Sequence, residues 1–423
     1  MANTKYTIPR GTHDILPNQS YRWQIVEHLA RQVAGLFGCL EIRTPTFEHT
    51  DLFLRSIGDG TDVVSKEMYS FFDKSNPPTH LTLKPEGTAG VARSFVENNL
   101  EALGLPLKMY YLTPIYRYEK PQKGRYRQHH QFGVEFYGSS SPFMDYEVIL
   151  LAYMLLTKFG LNDIILNINS IGCDHCRSQF INALQKFVLS QKDSFCDTCQ
   201  ERVQKNTLRV LDCKVSQCKQ HLQNAPIIND FLCDECIAHH NTLLQQLQKN
   251  NIPYQQNTNL VRGLDYYNRT VFEWITRSNS LGNQSTVCGG GRYDNLVQSV
   301  GGKPTACAGF GMGLERIIHL IDEQNPTLFV QPTVDIFVMY ASQEQAECAF
   351  EIANILRSNN ISTQVDYTNK SLKSQFKNAD RIQAKYALVI GADEVTTQKA
   401  TLRNMQDKTE RLVDLTKISN FQL

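Results

Sequence analysis

A cation-rich loop between two predicted β-strands is the part of this sequence best suited to bind an anion. Apolar and polar residues alternate from Tyr110 to Arg117 and again from Gln131 to Tyr137, which predicts two strands. The loop between them carries Lys120, Lys123, Arg125 and Arg127. No acidic residue lies between Glu119 and Glu135, so we expect this loop to meet anionic groups.

The residues that flank this loop do not suit a buried strand face. Arg117 and Glu119 precede the loop, and Gln131 and Glu135 follow it. A fork-shaped cation beside an amide and two carboxylates predicts a site that holds phosphate and ammonium groups together. The alternative is a solvated hairpin tip, where charged residues are common.

A second polar segment, LTLKPEGT, covers residues 81–88. It ends a predicted strand with Glu86 and Thr88, and a helix is predicted from Ala89 to Asn98. Glycine at 87 allows close approach of the backbone, and Glu86 supplies negative charge at the strand end. The alternative is an ordinary helix N-terminus, where both residue types are frequent.

A third segment, NTNLVRGLDYYNRTVFEW, covers residues 257–274 and ends in an alternating strand. It joins Arg262, a glycine turn, an acid and the pair Tyr266 and Tyr267. Without other information, paired tyrosines indicate core packing with satisfied hydroxyl groups. An Arg fork at this position would be able to neutralise phosphate charge as a metal ion does.

Two glycine runs follow further along the chain. TVCGGGRYDNLV, from Thr286 to Val297, precedes a helix, and we expect Arg292 and Tyr293 to line a site. ACAGFGMGLERIIHL, residues 306–320, predicts a strand of small residues and then an amphipathic helix. Glycines at 309, 311 and 313 would leave a surface for a planar base, and Arg316 would reach its phosphates.

The composition limits what can position these residues. A chain of 423 residues is too long for one ordinary core, and 41% apolar residues support globular packing in two or three domains. A formal net charge of +1 excludes a strongly basic nucleic-acid binder, so contact with RNA would depend on local clusters. The longest apolar run, Val148 to Leu156, is far short of the ~20 residues of a membrane span, which predicts a soluble cytoplasmic protein.

Eight of the twelve cysteines lie between Cys173 and Cys236, in a polar segment with a helical pattern. Without an export signal they are better explained as thiols or metal ligands than as disulfides. The spacing predicts one zinc site from the first four cysteines and a second from the last four, with a crossed pairing left open. The two expected sets are Cys173, Cys176, Cys196 and Cys199, and Cys213, Cys218, Cys233 and Cys236. Ordinary small apolar residues at helix ends are the alternative.

The last part of the chain predicts a βαβαβ series and therefore a mostly parallel sheet. Its second helix, predicted from Ser371 to Lys385, places cations on one face, at every fourth position. These cations are Lys373, Lys377, Arg381 and Lys385. Such faces are often only solvated, but this one is a candidate for contact with a nucleic-acid backbone.

Taken together, the motifs resemble the histidyl-tRNA synthetase family of class II aminoacyl-tRNA synthetases, in its bacterial type. YLTPIYRYEKPQKGRYRQHHQFGVE resembles motif 2 almost residue for residue, and ACAGFGMGLERIIHL resembles motif 3. LTLKPEGT resembles the family's LRPEGT, with Lys84 where many members carry Arg. VRGLDYYNRTVFEW and TVCGGGRYDNLV resemble its two histidine-specific motifs, and CLEIRTPTFEHTDLF resembles motif 1, which implies a homodimer. The proline at 45 predicts an edge or bulged strand in that last segment.

The resemblance implies ATP-dependent activation of L-histidine, with Mg²⁺, and transfer to the 3′-hydroxyl of tRNA(His). The implied catalytic residues are Arg117 and Arg262, and the implied ATP-binding residues are Arg117, Glu119, Arg125 and Arg316. The implied histidine-binding residues are Glu86, Thr88, Gln131, Glu135, Arg262, Tyr266, Tyr267 and Tyr293. The expected tRNA-binding residues are Gln122, Lys373, Lys377 and Arg381.

The expected architecture is a multidomain α+β and α/β protein. Residues 1–170 and 246–325 would form the class II catalytic domain around an antiparallel sheet, residues 171–245 a helical cysteine-rich insertion, and residues 331–423 an α/β anticodon-binding domain. Two other functions are alternatives. A regulatory paralogue without catalysis would typically lose the catalytic arginines and the last domain, and a zinc-dependent RNA-binding module would not explain the matches at every ATP-facing position.

Overall fold

A computed structural model describes residues 6–58, 60–282 and 285–422 and divides the chain into two compact units, residues 1–329 and 330–423. The first unit is built on an eight-stranded sheet in the order β1-β5-β6-β11-β10-β9-β7-β8. Its strands are β1 (Leu40–Glu41), β5 (Leu107–Tyr116), β6 (Gln128–Tyr137), β7 (Ile164–Ser170), β8 (Tyr254–Gln256), β9 (Asn268–Thr276), β10 (Thr286–Arg292) and β11 (Cys307–Gly313). The six central strands pair antiparallel, and β1 and β8 add parallel edges, which confirms the predicted antiparallel sheet.

Strand periodicity gives this sheet one apolar face and one polar face. On β6, Phe132, Val134 and Phe136 enter the main core, because alternate side chains point to opposite sides of a strand. Burial of each such side chain contributes about 1.5–3 kcal/mol. The intervening residues, including Gln131 and Glu135, therefore belong to the opposite face, and that face carries the candidate site.

The apolar face is covered by helices that contribute to the same core. These are α1 (Ser20–Leu36), α4 (Pro142–Lys158), α8 (Asp234–Lys249) and α10 (Leu314–Gln324). The α4 helix is capped by Ser141, whose hydroxyl accepts from the Phe143 amide at 3.3 Å, and Gly160 follows the end of the helix with φ +77°. Both are ordinary helix boundary signals. On the polar face, α3 (Thr88–Glu97) and α9 (Leu296–Ser299) pack against the sheet.

A small sheet adjoins this unit in the order β2-β4-β3, with β2 (Phe47–His49), β3 (Tyr69–Phe72), β4 (His80–Leu83) and α2 (Thr50–Ile57) beside it. The strand interrupted by Pro45 becomes β1 and β2, each at the edge of its sheet. The prediction of an edge strand is confirmed. An edge position suits proline because no ladder partner needs its missing N–H.

The cysteine-rich segment is helical, as predicted, and leaves the large sheet after β7 and returns just before β8. It contains α5 (Asp174–Ser190), α6 (Asp197–Lys205) and α7 (Ser216–Leu222), and ends in α8. Three of its helices, α5, α6 and α8, start directly after a cysteine, namely Cys173, Cys196 and Cys233.

The second unit has a five-stranded sheet in the order β13-β12-β14-β15-β16. Its elements are β12 (Ile336–Tyr340), α11 (Ala346–Ser358), β13 (Thr363–Val365), α12 (Leu372–Arg381), β14 (Tyr386–Ile390), α13 (Ala392–Thr397), β15 (Lys399–Asn404) and β16 (Glu410–Asp414). The parallel βαβαβ part is confirmed, and β15 and β16 extend it antiparallel.

The prediction that the α12 helix reaches Lys385 is wrong. The helix ends at Arg381, and Gln383 takes a left-handed conformation with φ +54°. The Lys385 amide bonds to the Val334 carbonyl at 2.9 Å, and its ammonium group lies 2.8 Å from Asp335. Only the three cations at 373, 377 and 381 therefore share the helical face, and all three are exposed. None of the described helices has the length and apolar character needed to cross a membrane.

Candidate active site

Strand pairing brings the separate motifs onto one face of the large sheet. In the register of the ladder, Gln131 lies opposite Gly313, and Gly311 lies opposite Gly289 on the next strand. Gly289 in turn faces Glu273 on β9. A cavity of about 200 Å³ opens at this place. Six predicted site residues line it, namely Arg117, Glu119, Arg125, Gln131, Arg262 and Arg316.

Arginines from different parts of the chain give this cavity a positive wall. The Arg117 Nε donates to the Pro85 carbonyl at 2.7 Å, which ties the end of β5 to the LTLKPEGT segment. Arg125 pairs with Glu119, and Arg316 donates to the Gly124 carbonyl at 2.8 Å. Burial, followed by the charge of Arg125, lowers the pKa of Arg316. Such a concentration of cations favours an anionic ligand.

Arg262 lies between an acid and a glycine. Its guanidinium pairs with Glu273, which also accepts from the Thr286 hydroxyl at 2.9 Å. Burial opposes the charge on Arg262, but Glu273 together with Tyr267 and Tyr266 outweighs it, and the pKa of Arg262 lies above its usual value. A Cβ added at Gly289 would lie 2.4 Å from the guanidinium, so only glycine leaves room for this position of Arg262.

Deeper on the same face lies a buried hydrogen-bonded chain. Glu135 has no exposed surface and accepts from the Thr88 hydroxyl at 2.7 Å and from the Tyr293 hydroxyl. Burial raises the pKa of Glu135 well above its usual value. A carboxyl held in this way can recognise a polar ligand group by direct hydrogen bonding.

Glu86 has a local partner already. Its carboxylate accepts from the backbone amides of Thr88 at 2.8 Å and Ala89 at 2.6 Å, at the start of α3. This is the helix N-terminal arrangement that the sequence left as an alternative. Burial raises the pKa of Glu86, although these amides act in the opposite direction.

Three tyrosines form an aromatic wall beside Glu135. The ring centroids of Tyr266 and Tyr267 are 4.6 Å apart, and those of Tyr266 and Tyr293 are 5.4 Å apart. The Arg262 guanidinium lies 5.8 Å from the Tyr267 ring centroid. Tyr266 and Tyr267 of VRGLDYYNRTVFEW therefore meet Tyr293 of TVCGGGRYDNLV, and Arg262 lies beside Tyr267.

The glycines expected to leave a flat surface are close to polar side chains at two of the three positions, although Gly311 and Gly313 both line the cavity. A Cβ at Gly309 would lie 2.4 Å from the Glu135 carboxylate, and one at Gly311 would lie 2.2 Å from the Gln131 amide. These glycines make room for polar side chains that a sequence pattern cannot place. At Gly313 no heavy atom of the described residues lies within 4 Å of an added Cβ, so this position alone is open.

The expectation that Arg292 lines the site is also wrong. Arg292 is fully buried and donates to Asp145 at 2.6 Å, and a second bond, at 3.0 Å, goes to Asp294. Asp145 also lies 2.6 Å from His239 and accepts from Thr270 at 2.7 Å. This buried ionic cluster links α4 to α8 and β10, and the sequence signal for it was an acid in a helix dense in apolar residues.

Two histidines near the site were not singled out from the sequence. Burial, together with Arg117, Arg316 and His130, lowers the pKa of His129 to about 3, so its imidazole is neutral at physiological pH on the cavity wall. The His130 amide donates to Glu315 at 2.8 Å. This bond ties β6 to the start of α10.

Gln122 lies in a tight turn of the motif 2 loop. Its amide donates to the Arg125 carbonyl at 3.1 Å, and the reverse bond measures 2.9 Å. Gly124 takes a left-handed conformation with φ +71° in this turn. The exposed Gln122 side chain borders a wider cleft of about 1280 Å³ that also contacts the cysteine-rich segment.

The cysteines meet in two groups of four, and the first pairing predicted from the sequence is wrong. The first group comprises Cys173, Cys176, Cys233 and Cys236, and the second comprises Cys196, Cys199, Cys213 and Cys218. Within each group the sulfur atoms all lie within 4.8 Å of one another. This is a crossed pairing, because the segment leaves and re-enters the large sheet at neighbouring strands, which brings its two ends together.

Comparison with known proteins agrees with this geometry. The family model described as histidyl-tRNA synthetase matches residues 11–317, and the anticodon binding domain model matches residues 335–421. The histidine–tRNA ligase of Clostridioides difficile is 47% identical over 408 residues, which is 96% of each chain. That of Clostridium novyi is 45% identical and covers 98% of this chain and 97% of its own.

Among solved structures, the apo histidyl-tRNA synthetase of S. aureus is similar with a TM-score of 0.82 at 34% identity, covering 98% of this chain and 99% of its own. The matches therefore extend over both compact units. On this evidence the chain belongs to the bacterial-type histidyl-tRNA synthetase family of class II aminoacyl-tRNA synthetases.

Proposed function

We propose that this cleft carries out the histidine–tRNA ligase reaction in two steps. In the first, the histidine carboxylate attacks the α-phosphorus of ATP, the bond to the β-phosphate oxygen breaks, and pyrophosphate leaves. In the second, the 3′-hydroxyl of the terminal ribose of tRNA(His) attacks the adenylate carbonyl, and AMP leaves. Neither step needs a protein nucleophile, so catalysis comes from positioning and charge stabilisation. The observation that carries the proposal is an arginine-walled cavity beside a buried Glu135–Thr88–Tyr293 chain.

The cations of the cavity are assigned to ATP. Arg117 and Arg262 would hold the α-phosphate, while Arg125 and Arg316 would hold the distal phosphates. Mg²⁺ bound with ATP would neutralise further phosphate charge, and Glu119, which lies on the wall and is 9% exposed, supplies a hard oxygen donor of the type Mg²⁺ prefers. The existing ion pairs of Arg125 and Arg262 with acids keep the guanidinium groups in place before the substrate arrives.

The buried chain is assigned to histidine. Glu86, Thr88 and Gln131 would hold its ammonium and carboxylate groups. Glu135 and Tyr267 would bind the imidazole nitrogens, and Tyr266 and Tyr293 would pack around the ring. An analogue without these nitrogens leaves buried polar groups unpaired, which costs about 1–3 kcal/mol for each lost contact.

ATP–pyrophosphate exchange with each of the twenty amino acids tests this proposal. We expect exchange with histidine alone. The Arg262→His variant should lose exchange while still binding histidine, because the lost cation serves the phosphate. Arg277→His, an exposed arginine at the end of β9, is the matched control. Exchange that survives unchanged in Arg262→His would refute the assignment of Arg262.

The second unit is assigned to tRNA. Its match to the anticodon binding domain model supports this role, and the exposed face of Lys373, Lys377 and Arg381 would contact the tRNA backbone. Gln122 would touch the acceptor end. Each lysine-to-alanine change on α12 should weaken the binding of tRNA to a similar extent whatever the tRNA sequence. It should also reduce the slope of the logarithm of the binding constant against the logarithm of the salt concentration by about one.

We also assign the chain to a homodimer that works in the cytoplasm, where translation takes place. Apolar side chains on and beside the small sheet support the dimer, since Phe47 is 50% exposed and Phe72 is 66% exposed. Sedimentation at micromolar concentration should give the mass of two chains, and Phe72→Glu should give the mass of one.

Each cysteine cluster is assigned one structural Zn²⁺, within an inserted domain of residues 171–245. A tetrahedral zinc site with Zn–S bonds of ~2.3 Å places its sulfurs about 3.8 Å apart. The Cys173 and Cys176 sulfurs are 3.5 Å apart, and those of Cys196 and Cys213 are 3.8 Å apart. Elemental analysis of protein purified without added metal should find two zinc ions per chain, and a folded protein without metal would refute the assignment.

A further inference from the structure

The segment enclosed by the second cysteine cluster contacts the first histidine-specific motif, VRGLDYYNRTVFEW. Between Cys199 and Cys213, the Asn206 side chain donates to the Asp265 carboxylate at 2.7 Å. Arg209 donates to Asp62 at 3.1 Å, and this bond connects the same segment to the part of the first unit around residue 62. Asp265 immediately precedes the two tyrosines assigned to histidine, so this contact reaches the substrate pocket through one residue.

The first cysteine cluster makes a second contact with the same motif. Arg177, which directly follows Cys176, donates to the Tyr267 carbonyl at 2.6 Å. Its other nitrogen donates to Asp174 at 2.7 Å, and Asp174 accepts in turn from Asn295 at 2.9 Å. Arg177 is therefore held from both sides, and its position defines where the Tyr267 backbone lies.

These contacts are selective for one half of the site. The peptide from Asp265 to Tyr267 is bonded at its start to the second cluster and at its end to the first. By contrast, Arg117 bonds to Pro85 and Arg125 pairs with Glu119, and both of those partners lie outside residues 171–245. A displacement of the cysteine-rich segment would therefore move the tyrosines more than Arg117 and Arg125. Arg262, which belongs to the same motif as the tyrosines, is held separately by its ion pair with Glu273 on β9.

We infer that the two cysteine clusters position the histidine-binding tyrosines through the Asn206–Asp265 and Arg177–Tyr267 hydrogen bonds, so that Asn206 and Arg177 act as positioning residues for histidine. The inference rests on the assignment of Tyr266 and Tyr267 to the histidine pocket. It makes the affinity for histidine dependent on the integrity of the clusters, whereas the affinity for ATP does not depend on them. The clusters then do more than hold their own segment together.

Steady-state ATP–pyrophosphate exchange separates the two affinities, because the KM for histidine and the KM for ATP are measured on the same protein. We expect Asn206→Ala and Arg177→Ala each to raise the KM for histidine by about fivefold or more, with the KM for ATP within about twofold of the wild type. Gln204→Ala, in the α6 helix that ends just before Asn206, and Lys186→Ala, in the α5 helix of Arg177, change exposed residues and should alter neither value.

A reciprocal exchange of side chains distinguishes positioning from general damage. Asn206→Asp alone places two carboxylates face to face and should raise the KM for histidine. Combined with Asp265→Asn, it restores one amide and one carboxylate, and the KM should return toward the wild-type value. No recovery in the double variant, or an equal rise of both KM values in the single variants, would overturn the inference.

The clusters themselves are tested by Cys213→Ser and Cys236→Ser, with metal content measured beside the kinetics. Each variant should raise the KM for histidine selectively, and a selective rise in the KM for ATP would overturn the inference. If the wild type exchanges no pyrophosphate with histidine, the proposed function fails. If it does exchange but Asn206 and Arg177 prove indifferent, only the positioning role fails.

Discussion

The Gly289→Ala variant tests whether Arg262 acts where the structure places it. Gly289 lies on β10, between Glu273 and Gly311 in the sheet, and its backbone conformation is accessible to alanine. The added Cβ would lie 2.4 Å from one guanidinium nitrogen of Arg262 and 2.7 Å from its central carbon. The obstacle is the far end of a flexible side chain, so the fold should persist while the cation moves.

The size of that movement sets the expected loss. An ordinary contact requires roughly 3.5 Å between such atoms, so the guanidinium must retreat by about 1 Å. A misplacement of about 1 Å at a reacting centre lowers the rate by roughly 100-fold, or about 2.7 kcal/mol of transition-state stabilisation. We therefore expect Gly289→Ala to reduce kcat/KM for histidine-dependent pyrophosphate exchange by about 100-fold.

The assay compares four proteins: the wild type, Gly289→Ala, Arg262→Gln and the double variant. Because both changes act on one guanidinium, the alanine should add little further loss when Arg262 is already absent. Gly35→Ala, in α1 and outside the cavity lining, is the matched glycine control, since no described heavy atom lies within 4 Å of its added Cβ. Full activity in a folded Gly289→Ala protein, or strictly additive losses in the double variant, would refute the reasoning.

Two further predictions concern stability. Asp145→Ala should lower the free energy of unfolding by about 3–5 kcal/mol in urea titrations, because it leaves the fully buried Arg292 without its main partner. Asp322→Ala removes an exposed ion pair with Arg22 and should lower the free energy of unfolding by less than about 1 kcal/mol. Equal losses in Asp145→Ala and Asp322→Ala would contradict the argument. Burial lowers the pKa of Lys84 from 10.5 to about 8, so the folded protein releases this proton before the unfolded chain does, and stability should rise across that pH window. From about pH 7.5 to pH 9.5 the free energy of unfolding of the wild type should rise by at most about 2 kcal/mol relative to that of Lys84→Met. A difference between the two proteins that stays constant with pH would refute the lowered pKa of Lys84.

Strand periodicity carried most of the information about the catalytic sheet. The alternation around Phe132 and Phe136 predicted a strand from Gln131, and the structure places one at Gln128–Tyr137 with these two rings in the core. The same alternation assigned Gln131 and Glu135 to the opposite face, because a strand has only two sides. The two strands were predictable for this reason, whereas family membership and the antiparallel class II sheet were predicted from the resemblance of the motifs.

The end of the α12 helix was not predictable from its cations. A repeat of four residues continues in the sequence to Lys385, but the backbone at that position hydrogen-bonds with the sheet. The Lys385 and Tyr386 amides bond to the carbonyls of Val334 and Asp335, at 2.9 Å each. Hydrogen bonds to a strand distant in the chain formed here in place of helical hydrogen bonds. Periodicity alone does not show which of the two sets of bonds is more stable.

The partners of the cysteines needed the tertiary structure as well. Spacing favoured neighbouring CxxC pairs, but the cysteine-rich segment begins after β7 and returns to β8, which pairs directly with β7. An excursion that starts and ends on adjacent strands must bring its first and last cysteines together. The ends therefore form one cluster, and the middle of the segment forms the other.

The sequence by itself determined which residues are candidates for the chemistry, since arginines, carboxylates and tyrosines stand in four local motifs whose strands and turns follow from nearby residues. Only the tertiary structure decided what each polar group faces. It placed Gln131 in the space at Gly311, Glu135 beside Tyr293 and Arg292 against Asp145. The physical reason is that burial and hydrogen-bond partners arise between strands far apart in the chain, where no local pattern records them.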